Sequence, residues 1–540
     1  MLVERSEFDV VIVGLGPVGA VAANIAGLLG LKTLVLERTD HAYLKPRAIV
    51  FDAEIMRIFA SIGLAERIAK ASRALGGSIY LGADRRPIRT FRARQPAHAK
   101  AWYPSNLFYQ PELESTLRDG LNRFSNVTVS LKHELAALRD FGGWSTLNVI
   151  AHGSSQSLEI RARSVLACDG ASSTVRKLLQ IPLDDIGFEE RWLVVDTFVN
   201  GPMRWPSTHA IPEEVQRGEY SLMLCDPARP STLIPGVGRH RRWEYMLLPG
   251  EHDDDVVGSD WLRRQLSQWI DPQDVEIVRS AVYRFRALIA QRWRINNIFL
   301  LGDAAHQTPP FFGQGMCHGI RDAAQLMWKL DLVLNNVSPA KLLDSYQEER
   351  EPHVREIVAA SVAAGAQVCI LDPEAAVARD KEFRRIEHER RNAPVAITDV
   401  VPPIRAGIID PKSGGMRLPE LAVETGNGHQ LDDMIAGRFT LLTRCEEAGN
   451  LPASLAAGWQ KIAGQTVRVG AVNDSDCSVH DAAGDVSHWL EQRQAYCAIV
   501  RPDRYVYAMP CDRANLYDEL TMLLEKLLLS NASSVEVHRT

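Results

Sequence analysis

A chain of 540 residues, 46% hydrophobic and 24% charged, holds enough apolar material for roughly two to four domains with cores of their own and excludes a disordered class. Its formal charge of −6 gives no electrostatic reason to expect nucleic acid or an anionic membrane as a partner, which leaves a small molecule as the expected ligand. The opening MLVERSEFDV lacks the apolar stretch of a signal peptide, and no uninterrupted apolar run is long enough to span a bilayer, so a cytoplasmic location without membrane contact is expected.

The stretch from Phe8 to Glu37 reads as strand, glycine turn, helix, strand. Val10 to Val13 is the β-branched run that a strand buried on both faces requires, and it stops at Gly14-Leu15-Gly16-Pro17-Val18-Gly19, a G-x-G-x-x-G. Gly14 permits the tight turn, Gly16 lets a pyrophosphate approach the backbone, Gly19 lets the helix pack on the strand, and Pro17 suits the helix's first turn. The second strand, Thr33 to Leu36, ends in Glu37, roughly 20 residues past the glycines, where an acidic side chain takes ribose hydroxyls. The spacing predicts a dinucleotide site of Rossmann type, FAD and a nicotinamide dinucleotide both being open on this reading.

After Glu37 and Arg38 comes a polar loop, Lys45-Pro46-Arg47-Ala48, where Arg47 is either a solvated cation or a partner for the pyrophosphate. A helix is predicted from Asp52, with Ile55, Ile58, Phe59 and Ile62 on one face. Residues 77 to 100 read as strands with basic turns, Tyr109-Gln110-Pro111-Glu112 opens a second helix, and Val127 to Leu131 is a short strand. Antiparallel strands from 145 to 166 run into Cys168-Asp169-Gly170, a turn that, with Arg176 beyond it, suits a charged ligand or is an ordinary strand-to-helix turn. Residues 182 to 285 resemble an inserted sheet carrying Trp192, Trp205, Tyr220, Trp243, Tyr245 and Trp261, either core or the wall for a flat aromatic ligand. Next, Ile298 to Leu301 delivers Asp303 at a strand's carboxyl end, where it can accept from sugar hydroxyls. The prolines 309 and 310 then order a loop to Gly313-Gln314-Gly315, and a helix from Gly319 points its positive end into that loop, where it would stabilise the charge of a reduced flavin. A further helix covers 342 to 367, a domain boundary falls between about 380 and 410, and strands near 439, 467 and 498 with a closing helix, Leu516 to Leu529, make a small α/β unit. The eight cysteines (168, 225, 317, 369, 445, 477, 497 and 511) contain no C-x-x-C, which argues against a zinc site or a disulfide framework.

Taken in order, these three motifs resemble the single-component (class A) FAD-dependent aromatic monooxygenases: G-x-G-x-x-G with Glu37-Arg38, the Cys168-Asp169-Gly170 turn, and Gly302-Asp303-Ala304-Ala305-His306 running on to Gly313-Gln314-Gly315-Met316. Pro46-Arg47-Ala48, the Gln110-Pro111-Glu112 helix start, Met246 to Glu251, and Arg321-Asp322-Ala323 before Trp328-Lys329-Leu330 are similar to the 3-(3-hydroxyphenyl)propionate hydroxylases and their phenol-hydroxylating relatives. The resemblance covers about residues 8 to 370 well and the tail loosely. It implies an α/β fold of three parts: a Rossmann-type FAD-binding domain (1–181 and 285–395), an inserted β-rich substrate domain (182–284) in the manner of p-hydroxybenzoate hydroxylase, and a thioredoxin-like C-terminal domain (396–540). It also implies FAD contacts at Gly14, Gly16, Pro17, Gly19, Glu37, Arg38, Arg47, Gln110, Asp303, Gly313, Gly315 and Met316, with Asp169 and Arg176 in a turn associated with FAD and the nicotinamide. Many relatives have asparagine where Cys317 and Gln325 stand, and the tail lacks a thioredoxin's C-x-x-C, so it reads as structural.

The implied reaction is NADH- or NADPH-driven ortho-hydroxylation of a phenolic aromatic acid, through a flavin hydroperoxide, with O2 consumed. Phenols ionise near pH 10, so a base must assist; Asp52, His306 and His318 are the candidates, each with a purely structural alternative. A carboxylate on the substrate would call on an arginine such as Arg191, Arg239 or Arg241. Competing readings are a flavin monooxygenase for another aromatic or polyketide-like substrate, and a non-catalytic FAD-binding redox-coupling protein. A halogenase is disfavoured by the lack of W-x-W-x-I-P. No metal is expected, and a homodimer is a compatible assembly.

Overall fold

In a computed structural model, which describes residues 6–41, 47–153, 157–390, 401–424, 430–444, 450–470 and 477–528, two eight-stranded sheets and a smaller five-stranded sheet organise the chain. The first sheet has a parallel centre in the order Ile298–Leu300, Ser157–Ala167, Glu7–Val13, Thr33–Glu37, Val127–Leu131. Its middle strand is apolar because helices cover both faces, and Val10, Val11 and Ile12 are fully buried. Val13, Ala167 and Leu300 lie level across three neighbouring strands. The three turns that follow them, each far from the others in sequence, therefore leave the sheet at one carboxyl edge.

The second sheet is built on the long antiparallel pair Leu183–Val199 and Val275–Ala290, continues through His240–Met246, Ser231–Pro235 and Tyr220–Leu224, and ends in Gly77–Leu81 and Pro87–Arg92. The expected inserted sheet of 182–284 thus recruits strands from the first hundred residues, which shield what would otherwise be the open edge of Tyr220–Leu224. Alternation sorts its side chains: Leu193, Val195, Trp243 and Tyr245 pack with Leu262 and Leu266 of the covering helix, while Trp192, Val194, Arg242 and Glu244 look toward the first sheet. The helix Pro373–Glu389, expected with the FAD-binding segment, packs on this sheet instead: Asp380 accepts from the Ala83 amide at 2.7 Å and Arg384 pairs with Asp84 at 2.7 Å. The boundary expected at 395 and 396 lies outside the described residues.

The tail's mixed sheet runs Val479–His480, Gln465–Gly470, Thr440–Thr443, Cys497–Val500, Val506–Ala508, in agreement with the thioredoxin-like α/β unit expected. The single strand expected from 498 to 509 is a hairpin, because Pro502 and the left-handed Arg504 (φ 64°) turn the chain back. The closing helix Arg513–Leu527 starts at Asp512, whose side chain accepts from the Asn515 amide at 2.8 Å. Tail and first domain share a core, with Trp328 and Leu332 packed among Phe439, Trp459 and Tyr507. Among the described residues no single helix is long and apolar enough to cross a membrane.

Candidate active site

At the carboxyl edge of the first sheet Gly14 has φ +100°, and a Cβ there would lie 2.5 Å from the Cys168 carbonyl oxygen. A Cβ on Gly19 would sit 2.0 Å from the Gly14 carbonyl oxygen, so the helix Pro17–Leu28 approaches its strand as closely as the motif requires. Gly16 differs: a Cβ there meets nothing within 4 Å, because this residue faces a cavity. Glu37 accepts from the Leu15 amide at 2.9 Å and from Thr39, which fixes the turn, whereas Arg38 is exposed and does not line the cavity.

The other two turns complete the edge. One Asp169 oxygen accepts from the Thr174 and Val175 amides at 2.7 and 3.1 Å; its Oδ1 is buried without a hydrogen-bond partner. Arg176 donates to the carbonyls of Ala171 and Ala304 at 2.8 and 2.9 Å, tying the Asp169 turn to the segment that carries Asp303. Asp303 is exposed on the cavity wall with no partner among the described residues. The long helix starts at Gly315, four residues earlier than periodicity predicts, so its unpaired first amides reach the cavity beside Gly313 and Met316. Gln110 lines the wall, yet both ends of its amide are engaged: the oxygen accepts from the Arg47 and Ala48 amides at 2.7 Å each, and the nitrogen donates to Glu114. It holds the Arg47 backbone in place; Lys45 and Pro46 lie outside the described residues.

The cavity measures about 390 Å³, within the ordinary range for a small-molecule site. Opposite the glycine edge its wall is Tyr80, Phe91, Trp192, Tyr283, Phe285 and Phe311. Of the six aromatic residues singled out in the sequence only Trp192 reaches it, since Trp243 and Tyr245 fall on the other parity and Trp205, Tyr220 and Trp261 pack with them. Arg191, Arg239 and Arg241 do not line it. They bind Asp253, Asn200 and the Gly238 carbonyl instead. The arginines that do are Arg47 and Arg242, and Arg242 is held by Asp196 (2.9 and 3.1 Å) and the Arg47 carbonyl (2.6 Å).

Several lining residues escaped the sequence reading, among them Tyr80, Phe91, Tyr283, Phe285 and one acid. Glu244 lies on the cavity face between Val194 and Thr232, is 9% exposed, and makes no hydrogen bond or ion pair among the described residues. Burial raises its carboxyl from 4.5 to about 7, with the Arg242 guanidinium opposing and Asp196 adding to the rise. The signal was present in His240–Met246, where charged residues alternate with Trp243 and Tyr245, but alternation does not reveal which face is dry.

None of the three proposed bases lines the cavity. Asp52 caps its helix, accepting from the Ile55 amide at 3.2 Å, and its second oxygen receives Arg321 at 2.5 Å and Gln314 at 3.2 Å. His306 is buried against Trp293 and bound to Asp322 at 2.8 Å. His318 contacts Arg350 at 3.1 Å, and burial holds its pKa well below the usual histidine range. These groups brace the site from behind: Asp322 also accepts from the Gly302 amide at 3.0 Å and from Arg350 at 2.8 Å, and against its burial these partners hold its carboxyl at about 2.

A dinucleotide-type edge opening into an aromatic cavity roofed by a second sheet defines a flavin oxidoreductase. The FAD binding domain family matches residues 7–361, and the HcaD C-terminal domain matches 415–526. A probable NADH-specific resorcinol 4-hydroxylase of Rhodococcus jostii is 33% identical over 95% of this chain and 94% of its own length. A 3-(3-hydroxy-phenyl)propionate/3-hydroxycinnamic acid hydroxylase of Klebsiella pneumoniae is 31% identical over 97% and 96%. In fold the chain is similar to the flavin-dependent monooxygenase PieE, at 21% identity with TM-score 0.79 over 97% of this chain and all of that one. The chain belongs to the class A FAD-dependent aromatic monooxygenases. It is an aromatic hydroxylase that uses FAD and NAD(P)H. The site fits FAD on its own features: an open cradle at Gly16 and the unpaired Asp303 on the same cavity, whereas Asp169 does not line it.

Proposed function

We propose that this hydroxylase inserts one oxygen atom of O2 into a phenol, ortho to the existing hydroxyl. The observation that carries this is the single cavity shared by the glycine edge and an aromatic wall. Gly14, Gly16 and Gly19 with Pro17 would hold the FAD pyrophosphate, Glu37 and Arg38 the adenosine end, Asp303 the ribityl hydroxyls, and the amides from Gly313 to Met316 the flavin ring. Bound FAD supplies hydride acceptance from the nicotinamide and activation of dioxygen. The chain's own part is to clamp the phenol between aromatic faces and exclude water, which keeps activated oxygen from being lost as hydrogen peroxide.

An uncharged phenol of the resorcinol kind suits the wall best. Glu244 repels a substrate carboxylate, and the Arg242 guanidinium is already held by Asp196. A phenolic acid is the second reading, favoured by Arg47 on the same wall and by the hydroxyphenylpropionate hydroxylases among the relatives. The test is NADH oxidation and product mass with resorcinol, 3-(3-hydroxyphenyl)propionate and a non-phenolic analogue of each. Stoichiometric catechol-type product from the phenols is expected, with at most hydrogen peroxide from the analogues. If no phenol yields an oxygenated product, the reading is wrong; if the acid is turned over far better than resorcinol, the preference for an uncharged ring is.

A further inference from the structure

We propose that Glu244 takes the proton of the substrate's phenolic hydroxyl, an inference that rests on the phenol hydroxylase reading above. Several deeply buried carboxylates in this chain meet a cation: Asp52 meets Arg321, Asp196 meets Arg242, Asp322 meets Arg350, and Glu349 meets Lys329 and Arg501. Asp410 and Glu519 are buried without an ion pair among the described residues, but they lie in the tail and do not line the cavity. Glu244 meets none, although an unpaired carboxylate in an apolar wall is costly. Unlike Asp410 and Glu519, Glu244 faces the cavity, where its partner arrives with the substrate.

The geometry supports one donor in particular. Val194 and Thr232 flank Glu244 on the neighbouring strands and line the cavity with it, so the carboxylate stands on the wall where an aromatic ring would lie. The other ionisable groups around it are Arg242 on its own strand, Asp196 on Leu183–Val199, Tyr80 on Gly77–Leu81, Tyr283 on Val275–Ala290, and Arg47 and Asp303 across the cavity. Arg47 and Arg242 are cations. Burial drives the Tyr80 phenol upward, and Asp303 lies at the flavin edge. Glu244 is therefore the acceptor placed at the aromatic wall and near neutrality.

The transfer conserves charge. The phenol O–H bond breaks, an O–H bond forms on a Glu244 carboxylate oxygen, and one negative charge passes to the phenol oxygen, with the Arg242 guanidinium close by. A phenol that ionises near pH 10 lies about three pK units above the carboxyl, so roughly one bound phenol in a thousand is ionised at rest. The proton moves mainly as electron density leaves the hydroxyl oxygen for the ring, the regime in which a positioned base gives roughly 10²- to 10⁴-fold.

Spectroscopy on the holoenzyme separates this role from packing. Wild type, E244Q and E244D, matched for bound FAD, are titrated with 4-nitrophenol present, and the difference spectrum of the bound nitrophenolate is followed against pH. A nitrophenol beside Glu244 shares one proton with it, and removing the second proton places two negative charges together. The nitrophenolate band should therefore appear at least one pH unit higher in wild type than in E244Q. With a productive phenol, kcat of E244Q should fall about 10²-fold or more and lose its rise near neutral pH, and E244D should recover part of both. An E244Q enzyme with the wild-type titration of bound nitrophenol, or with wild-type kcat and pH profile, overturns the role of Glu244 alone. A wild type that neither binds nitrophenol nor hydroxylates any phenol overturns the substrate reading, and this role with it.

Discussion

Two carboxylates on opposite walls of one cavity show how position decides what an acid does. Asp303 sits exposed on the cavity wall at the edge of the parallel sheet with no partner among the described residues, so the role proposed for it is binding. Asp303→Ala should weaken FAD retention about 10- to 100-fold, the ~1.5–3 kcal/mol of a lost hydrogen bond to a charged group, read by flavin release under dilution. Unchanged affinity would remove Asp303 from the site. Glu244 is the reverse case. Its folded-state pKa, about 7, lies above the unfolded 4.5, so its contribution to stability is present below about pH 4.5 and is lost as pH rises through 7. An isosteric glutamine carries no such penalty. Glu244→Gln should therefore match wild type near pH 4.5 and exceed it by about 3 kcal/mol above pH 8, seen as a gap in thermal midpoint that widens with pH. A gap of the same size at both ends of that range would contradict the buried, unpaired state of this carboxyl. The sequence marks Asp303 by its place after an apolar strand, but alternation in His240–Met246 does not say that Glu244 falls on a dry cavity face.

At the scale of elements, what is local was legible. Strand, glycine turn and helix from Glu7 to Leu28 follow from period and glycine spacing alone, as does Asp303 at the end of Ile298–Leu300. What depends on pairing was not. Gly77–Leu81 and Pro87–Arg92 read as strands, but nothing local says that the first of them pairs with Tyr220–Leu224, which brings Tyr80 and Phe91 to the wall. The bases failed for a related reason: Asp52, His306 and His318 flank the motif loops in sequence, but their side chains point into the buried supporting network. The glycine turn offers a test that separates folding from binding. Gly16 has φ −72° and open space where a Cβ would go, so Gly16→Ala should fold with an unchanged thermal midpoint without flavin, yet bind FAD at least tenfold more weakly (~1.4 kcal/mol), because the added methyl stands where the pyrophosphate approaches. Gly19→Ala should do the opposite, losing stability before affinity, since its Cβ would overlap the Gly14 carbonyl at 2.0 Å. If both variants lost only stability, Gly16 would be no cradle.

At the scale of the whole molecule, the three parts were foreseen but their joints were not, because a joint is made of charges that look like solvated surface in sequence. The tail is fastened to the first domain by buried ion pairs: Arg57 grips Asp432 with two bonds (2.5 and 2.7 Å), Arg417 reaches Glu54 at 2.9 Å, and Arg501 reaches Glu349 at 2.8 Å. Glu349 also meets Lys329 at 3.0 Å, and burial pulls that lysine down to about 8. Lys329 belongs to the helix whose first turn, Gly315 and Met316, faces the cavity, so the tail braces that wall of the cavity from the far end of one element. Removing one partner from such a cluster leaves uncompensated buried charge, and Arg501→Ala should cost about 3–5 kcal/mol. Replacing Arg501 and Glu349 together by methionine leaves Lys329 unpaired but able to deprotonate, and should recover a good part of that loss at pH 9. Deletion from about residue 410 strips all three joints at once, so solubility and thermal midpoint should collapse first. Whatever fraction stays folded should still take up FAD and be bleached by NADH, because the described tail cysteines 477, 497 and 511 lie far from one another in the chain and form no C-x-x-C. A soluble, FAD-loaded truncation that bound substrate and NADH normally but could not be bleached would show that the tail takes part in electron transfer, and the purely structural account of these joints would fail.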